Sequence, residues 1–487
     1  TNGHNQLLFA CATAPARPAE QLEHRSAMST RQSEGQSPTV AAKQELIDWI
    51  ARGEKPAHQW RIGTEHEKFV FATDTRQPVP YDGPAGIKAL MAALIDDYRW
   101  EPIVEEGNVI ALRRPRGEGS ETISLEPGGQ FELSGAPVEN LHETCAEAGE
   151  HLRQCLAVGE RLGIGFLGLG FTPDWSRDQM PMMPKPRFQV MKRYMPQVGA
   201  NGLDMMFRTT TIQVNLDFAS EPDMVAKLRA SLALQPLATA LFASSPFSDG
   251  DLSGFKSLRS EVWRDTDRNR TGMLPFVFDE AMGYEAYVDY ALDVPMYFVF
   301  RDGTYIDASG RSFRDFLDGR LDVLPGERPT LDDWSDHLTT IFPEARLKRF
   351  IEMRGADGGP WRRICALPAF WVGLLYDETA LCAVGDLIRP WTADERQDMR
   401  DQVPRLGLQT PVRGGTLQDV AKEAVAIATA GLKRRARINS RGDDETMFLQ
   451  AVEEAAMTGQ TPADELIGRF ERGWNGDVAK IYDEYAY

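Results

Sequence analysis

The stretch FRTTTIQVNLDF, residues 207–218, alternates polar and apolar side chains more strictly than any other part of the chain. On an extended strand, alternate side chains point to opposite faces. The polar series is Thr209, Thr211, Gln213, Asn215 and Asp217, and the apolar series is Ile212, Val214, Leu216 and Phe218. A strand with one polar face is typical of an antiparallel sheet that helices cover on one side only. The stretch therefore predicts an α+β fold, in which an antiparallel sheet is backed by helices.

Other segments of the chain fit this arrangement. Apolar alternation predicts further strands at 61–71, within 122–133, at 295–303 and at 346–354. Helical periodicity predicts helices at 86–98, 141–162 and 221–242, and helix dominates from about Thr392 onward. No linker interrupts the middle of the chain. We therefore expect residues 38–487 to form a single catalytic domain whose last part, about 392–487, is mostly helical.

The first residues differ in character from the rest. LLFACATAPA, residues 7–16, resembles the apolar region of a secretory signal, but it is short and no basic leader precedes it. We interpret residues 1–27 as an extension or an over-long gene start, and a signal or transit peptide is the alternative. The whole segment 1–37 is expected to be disordered.

Composition and charge exclude several classes of protein. A chain of 487 residues with 42% hydrophobic and 26% charged residues has a globular composition. Its net charge of -18 argues against binding to nucleic acid or an anionic membrane, because both need a basic face. The five cysteines show no CxxC spacing, which favours a reduced, cytoplasmic location. No apolar run approaches the roughly 20 residues that cross a bilayer.

Two glutamates in the segment TEHE lie on one face of a predicted strand, because Glu65 and Glu67 are separated by one residue. Adjacent carboxylates repel each other, and a hard cation such as Mg²⁺ would remove the repulsion. An exposed edge strand with solvated charges is the alternative. His66 points to the opposite face and is interpreted as structural.

Two further segments carry acids in the same phase. In SLEPGGQFELSGAP, Glu126 precedes a Pro-Gly-Gly interruption and Glu132 lies on the polar side of a strand, although a solvated hairpin would look similar. In RFIEMR, Glu352 and Arg354 share a face, as either a plain ion pair or a metal ligand beside a phosphate-binding cation. Three polar-faced strands with glutamates in phase favour a site for several metal ions and phosphoryl transfer.

Two basic clusters have alternative interpretations. LRSEVWRDTDRNRTG, residues 258–272, is either a salt-bridged loop or a clamp for a substrate carboxylate with Trp263 as its wall. The second cluster, for which we prefer a surface helix over a nucleotide contact, contains Lys185, Arg187, Lys192, Arg193 and Tyr194. No phosphate-loop motif and no dinucleotide-binding GxGxxG motif occurs, so any ATP must be held through metal ions.

Several long strings, in order, resemble those of a known family. They include GTEHEKF, SLEPGGQFELSGAP, GLDMMFRTTTIQVNLDF, RTGMLPFVFDE and LTTIFPEARLKRFIEMRGADGG. From about Glu45 to the C-terminus, the chain resembles the plant and proteobacterial type of glutamate-cysteine ligase. The resemblance implies a glutamine-synthetase-like cradle that holds two or more Mg²⁺ ions between ATP and glutamate. It also implies the first step of glutathione synthesis, and we expect a monomer or a homodimer.

The resemblance also implies roles for individual residues. The metal-binding acids fall on Glu65, Glu67, Glu126, Glu132 and Glu352. The catalytic residues are Glu67 and the phosphate-facing Arg354. Substrate binding falls on Arg259, Trp263, Gln213, Asn215 and Arg208. The redox-sensitive cysteine pairs of plant members cannot be matched to cysteines of this chain.

The implied reaction passes through γ-glutamyl phosphate, which the amine of cysteine attacks. One alternative is a ligase of the same fold that uses another amine. The other is a catalytically silent protein that binds ATP and metal.

Overall fold

A computed structural model describes residues 37–117 and 119–487, so nearly all of the expected N-terminal extension, residues 1–37, lies outside the described residues. The helices are α1 Lys43–Ala51, α2 Ile87–Tyr98, α3 Leu141–Leu162, α4 Pro186–Val198, α5 Gly202–Arg208, α6 Glu221–Leu241, α7 Leu258–Trp263, α8 Tyr284–Asp293, α9 Phe313–Leu317, α10 Leu331–Thr339, α11 Trp361–Leu375, α12 Glu378–Ile388, α13 Ala393–Leu406, α14 Leu417–Arg435, α15 Gln450–Thr458, α16 Pro462–Arg472 and α17 Ile481–Glu484. The strands are β1 Ile62–Ala72, β2 Glu101–Glu105, β3 Asn108–Arg116, β4 Gly119–Leu125, β5 Phe131–Ser134, β6 Ile164–Leu167, β7 Thr211–Leu216, β8 Phe247–Ser248, β9 Asp251–Leu252, β10 Thr271–Gly272, β11 Phe298–Arg301, β12 Thr304–Asp307, β13 Phe342–Pro343, β14 Ala345–Leu347, β15 Ile351–Asp357, β16 Pro411–Val412 and β17 Gly415–Thr416.

Nine strands form one antiparallel sheet, in the order β14-β15-β7-β1-β5-β4-β3-β2, and β6 pairs with the second half of β1. The remaining short strands form four separate pairs. The largest core cluster covers one face of the sheet, where α11 packs on β7 and α6 packs on β15. A second core cluster places α2 and α3 against the strands of the other half. The predicted α+β fold, with helices behind an antiparallel sheet, is confirmed.

The register of the central strands brings polar side chains of distant segments together. Glu67 on β1 lies opposite Glu132 on β5, and Glu65 lies opposite Gln213 on β7. On the other side of β7, Asn215 lies opposite Glu352. Residues at opposed positions share a face of the sheet. The polar faces that the sequence indicated separately therefore form one continuous surface.

Strand β15 contains an irregularity that extends this polar face. The register shifts between Met353 and Ala356, so that Asp357 lies opposite Thr211. Thr211 is in phase with Asn215, which faces Glu352. The bulge thus returns Asp357 to the face of Glu352. Gly355 lies within the shift, where a Cβ would be 2.3 Å from the side chain of Gln235.

Several predicted boundaries are wrong. The strand predicted from Phe207 begins only at Thr211, because Phe207 and Arg208 complete helix α5. The segment 346–354, predicted as one strand, is a hairpin formed by β14 and β15. The strand at 298–301 pairs only with β12, outside the large sheet. Alternation indicates extended residues, but it does not report where a strand begins or which strand is its neighbour.

No single helix in the described ranges 37–117 and 119–487 has the length and apolar composition needed to cross a membrane. Helices α11 and α12 pass the same test as a pair, and they meet at a bend of 88°.

Candidate active site

A cavity of about 130 Å³ opens on the polar face of the sheet, bordered by strands β1, β5, β7 and β15 and helices α4, α5 and α7. The site residues expected from the sequence that line it are Glu65, Glu67, Glu126, Glu132, Gln213, Arg259, Trp263 and Arg354. Asn215 and Glu352 lie beside them at opposed positions of β7 and β15. Asn215 donates a hydrogen bond of 2.8 Å to Glu65. One cavity therefore collects acids and bases from segments nearly 300 positions apart.

Three carboxylates face the cavity from β1 and β5, and each is repelled by neighbouring acids. They belong to Glu65, Glu67 and Glu132. Burial and repulsion from Glu352 and Glu132 raise the pKa of Glu65 to about 8. Burial and the charges of Glu126 and Glu132 raise the pKa of Glu67, and burial together with Glu126 raises the pKa of Glu132. Across the described residues, none of these three carboxylates forms an ion pair. Buried like charges of this kind require a proton or a cation.

Glu126 enters the cavity on a tight turn. The Glu126 amide donates to the carbonyl of Gln130, and the Gly129 amide donates back to the carbonyl of Glu126. Gly129 has a φ of 84°, which disfavours a side chain. At Gly128 a Cβ would lie 2.4 Å from the carbonyl oxygen of Phe207, so the turn needs glycine to approach α5. The Pro-Gly-Gly interruption thus positions Glu126 at the rim.

Glu352 differs from the other acids because three cations surround it. Arg346 donates two hydrogen bonds of 2.9 and 2.8 Å to its carboxylate, and Lys348 forms an ion pair at 3.2 Å. Arg354 donates to Glu352 and also to Gln213 Oε1 at 2.8 Å. Although burial opposes ionisation, these positive charges hold the pKa of Glu352 well below its usual value. A metal ion would reach this carboxylate only after Lys348 or Arg354 moved away.

The remaining acids fit a magnesium site by their chemistry. Carboxylate oxygens are the ligands that Mg²⁺ prefers, and the ion characteristically binds one or two carboxylates together with substrate phosphates and water. In the part of the chain that the structure describes, no three acidic, histidine or cysteine side chains form a ready-made ion cage. The opposed pair Glu67 and Glu132, with Glu126 nearby, nevertheless supplies ligands of the required kind.

Helix α7 presents Arg259 and Trp263 to the cavity. Its start is fixed by the buried carboxylate of Asp357, which accepts 2.7 Å hydrogen bonds from the hydroxyls of Ser245 and Ser257. The Ser245 hydroxyl in turn accepts a hydrogen bond of 3.2 Å from the Arg259 amide. Arg259 also donates to the carbonyl of Arg354 at 3.0 Å. Asp357 therefore positions Arg259 without lining the cavity itself.

Arg208, expected to bind substrate, lies outside the cavity. As the last residue of helix α5, it donates hydrogen bonds of 3.0 Å to Thr172 and to Asp249, and it packs over the ring of Phe171. Arg208 is out of phase with the polar series of β7, and it belongs to the helix that precedes this strand. The expectation for Arg208 is therefore corrected.

The surface interpretation of the second basic cluster is wrong for three of its residues, one of which is Tyr194, buried in a core cluster. Lys185 is only 2% exposed, and burial with the nearby charge of Arg187 lowers its pKa to about 8. Arg187 lines the cavity. Lys192 and Arg193 are exposed, as expected. Alternation could not identify the buried lysine, because it lies in a loop before α4.

A known protein family matches most of the chain. Residues 61–484 match the model of a family described as glutamate-cysteine ligase family 2.

The chain belongs to glutamate-cysteine ligase family 2. This confirms the resemblance inferred from the sequence. Named glutamate-cysteine ligases share high identity with it: 56% over 445 residues with the chloroplastic enzyme of Medicago truncatula, covering 91% of this chain and 85% of the relative. The chloroplastic glutamate-cysteine ligase B of Oryza sativa subsp. japonica is also 56% identical, over 91% of this chain and 87% of the relative.

A solved structure supports the fold of this glutamate-cysteine ligase family member. The glutamate-cysteine ligase of Francisella tularensis, determined in complex with AMP, superposes with a TM-score of 0.52. The two chains share 14% sequence identity, and the match covers 89% of this chain and 88% of the other. At this identity the likeness concerns the fold alone.

The predicted cytoplasmic location is wrong, since the relatives with high identity are chloroplastic proteins. The prediction came from the cysteine content, which reports a reducing environment and does not distinguish between compartments that share one.

Two residue sets were missed by sequence analysis of this family member. Arg346 and Lys348 line the cavity and are in phase with Glu352, so their spacing could have predicted that they share its face. Cys145 on α3 and Cys365 on α11 have sulfur atoms 2.6 Å apart, although they are 220 positions apart in sequence. No local pattern could have paired them.

Proposed function

We propose that the protein joins the side-chain carboxylate of glutamate to the amine of cysteine, using ATP and Mg²⁺, as the first step of glutathione synthesis. The observation that carries this proposal is the cavity, in which carboxylates of β1 and β5 face the cations of β14 and β15. Such a charge distribution suits a nucleotide held through metal ions next to a substrate carboxylate. Membership of glutamate-cysteine ligase family 2 supports the choice of substrates.

The metal ions would be held by Glu65, Glu67, Glu126 and Glu132. When bound, Mg²⁺ would neutralise the phosphate charge. Arg354 faces the same space and neutralises the oxygens of the transferred group. A γ-carboxylate oxygen of glutamate forms a bond to the γ-phosphorus of ATP, and the bond to the leaving ADP breaks. The amine of cysteine then attacks the acyl carbon, phosphate leaves, and the amine loses a proton.

Glutamate needs a second set of contacts, because its other carboxylate does not react. Arg259 and Trp263 at one end of the cavity provide a cation and an aromatic wall for that purpose. Gln213 accepts a hydrogen bond from Arg354, and Asn215 donates one to Glu65. These two amides therefore orient catalytic groups from β7.

A coupled assay of ADP release tests the proposal. Purified protein should release ADP only when glutamate, ATP, Mg²⁺ and cysteine are all present, and mass spectrometry should identify γ-glutamylcysteine. Release with another amine and not with cysteine would identify a different acceptor. A calorimetric titration without any Mg²⁺-dependent ATP binding would instead indicate a catalytically silent protein.

Binding of Mg²⁺ to the ligand-free protein should release protons. The pKa of Glu65 is raised to about 8, so this carboxyl is mostly protonated at pH 7, whereas a metal binds the carboxylate form. Affinity should therefore increase as the pH rises from about 6.5 to about 8.5. Calorimetry in two buffers with different ionisation enthalpies measures how many protons are released when Mg²⁺ binds. A heat of binding that does not depend on the buffer would contradict the prediction.

Replacing Asp357 by asparagine should raise the KM for glutamate with a smaller effect on kcat. The amide removes the charge that faces Arg259 and one acceptor of the serine hydroxyls, so Arg259 loses its fixed position. A misplaced binding residue costs roughly ten- to a hundred-fold. The exposed Asp251→Asn serves as the control. Equal proportional losses in the KM values for glutamate and ATP would argue against a positioning role.

A further inference from the structure

A small side cavity of about 20 Å³ adjoins the main cavity. The two cavities share four wall residues, which are Arg259, Trp263, Phe342 and Arg354. The remaining wall includes Arg400 of helix α13 and Glu344, which lies between β13 and β14. Helix α13 belongs to the C-terminal helical part, which supplies none of the residues of the main cavity.

Three buried N–H groups around the side cavity have no acceptor among the described residues. They are Nε of Arg259, Nε1 of Trp263 and Nη1 of Arg400. Buried donors are almost always paired, because leaving one unsatisfied costs about 1–3 kcal/mol. Three such donors in the wall of one small cavity point to a missing acceptor that would serve all of them.

Each of the two arginines is held by at least one other hydrogen bond, which fixes its guanidinium group. Arg259 donates through Nη2 to the carbonyl of Arg354 at 3.0 Å. Arg400 donates through Nη2 to the carbonyl of Ser260 at 3.2 Å and through Nε to Glu344. Neither side chain can therefore turn its free N–H elsewhere without losing an existing bond. The free donors are preorganised for a ligand.

Charge and size indicate what the acceptor is. Arg259, Arg354 and Arg400 bring three positive charges to the side cavity, while its wall contains the single carboxylate of Glu344. The balance favours an anionic oxygen over a neutral one. A space of this size admits about one water-sized group, so a carboxylate oxygen fits better than a phosphoryl group.

We propose that the side cavity binds the non-reacting carboxylate of the amino-acid substrate, with Arg400 as a specificity-determining residue. The inference rests on the proposed function, in which the reacting γ-carboxylate of glutamate meets ATP in the main cavity. Arg259 and Trp263 supply donors from one side, and Arg400 supplies the third from the C-terminal helices. A substrate without this carboxylate leaves the three donors unpaired and is rejected.

Arg400→Lys tests the proposal while keeping the positive charge beside Glu344. Loss of the Nη1 donor should raise the KM and the calorimetric Kd for glutamate about 10- to 100-fold. The Kd for a non-hydrolysable ATP analogue should stay unchanged, and the melting temperature measures separately the loss of the hydrogen bond to Ser260. Trp263→Phe, which removes the indole N–H and keeps an aromatic ring, should act in the same direction. The exposed Arg405→Lys on the same helix is the matched control.

4-Aminobutyrate tests whether Arg400→Lys weakens glutamate binding through the α-carboxylate, because this compound has the chain of glutamate without that group. Wild-type protein should bind it much more weakly than glutamate, and this preference should shrink in Arg400→Lys. Weaker binding of the ATP analogue alone would assign the cavity to phosphate and overturn the proposal. Equal glutamate affinity in wild type and Arg400→Lys would also overturn it. A wild-type protein that binds no glutamate would instead refute the proposed function itself.

Discussion

Glu67→Ala should lower the rate of cysteine-dependent ADP release by about 10²–10³-fold and leave the fold intact. Glu67 lies opposite Glu132 in the sheet, and its pKa is raised by burial and by the charges of Glu126 and Glu132. It is therefore the acid at the centre of the proposed metal site. Its hydrogen bond from the Thr211 amide, 3.0 Å long, contributes little to stability.

The loss should be separable from any effect on folding. The melting temperature of Glu67→Ala without metal should equal or exceed that of the wild type, because a buried like charge has been removed. Mg²⁺ should stabilise the wild type more than the variant. Glu101→Ala, an exposed position on β2, is the control. Near-normal turnover in Glu67→Ala would show that this residue does not hold a catalytic ion.

Arg354→Met is the second change with a large expected effect. Arg354 lines the cavity and connects Glu352 with Gln213, so its guanidinium faces the site of the proposed phosphoryl transfer. Removing a cation that stabilises charge in the transition state should lower kcat by about 10²–10³-fold. Arg346 and Lys348 continue to neutralise Glu352, so the buried carboxylate remains paired.

Steady-state kinetics in ATP and glutamate test the role of Arg354. We expect kcat to fall much more than the affinity for either substrate, because the interaction strengthens in the transition state. Arg354→Lys should recover only part of the rate, since an ammonium lacks the planar pair of donors. A variant with normal kcat and a lowered melting temperature would assign Arg354 a structural role only.

Much of the sheet could be predicted from side-chain alternation. Glu65 and Glu67 share a face because they are two residues apart, and the same rule placed Gln213 and Asn215 together. Alternation is a local property, so it could not supply the register that sets Glu67 opposite Glu132. That register depends on the packing of the apolar face against helices from other parts of the chain.

The predictions that were wrong or missing also have physical causes. Arg208 is out of phase with the polar series that begins at Thr209, its backbone completes a helix, and its side chain points away from the site. Lys185 belongs to a loop, for which periodicity makes no prediction. Arg400 lies on a helix far along the chain, where an arginine ordinarily indicates a solvated face. Only the packing of α13 beside α7 brings it to the side cavity.

The bulge in β15 limits how this segment can vary in length. It keeps Asp357 on the face of Glu352, although the two residues are five positions apart. Regular alternation over the same five positions would turn Asp357 toward the helices. Inserting one residue beside Gly355 with the bulge kept would do the same and would uncouple Arg259 from the strand that carries Arg354. A single-residue insertion here would thus damage phosphoryl transfer and glutamate binding together. We expect natural variants of the enzyme to lack insertions in this segment even where its side chains differ.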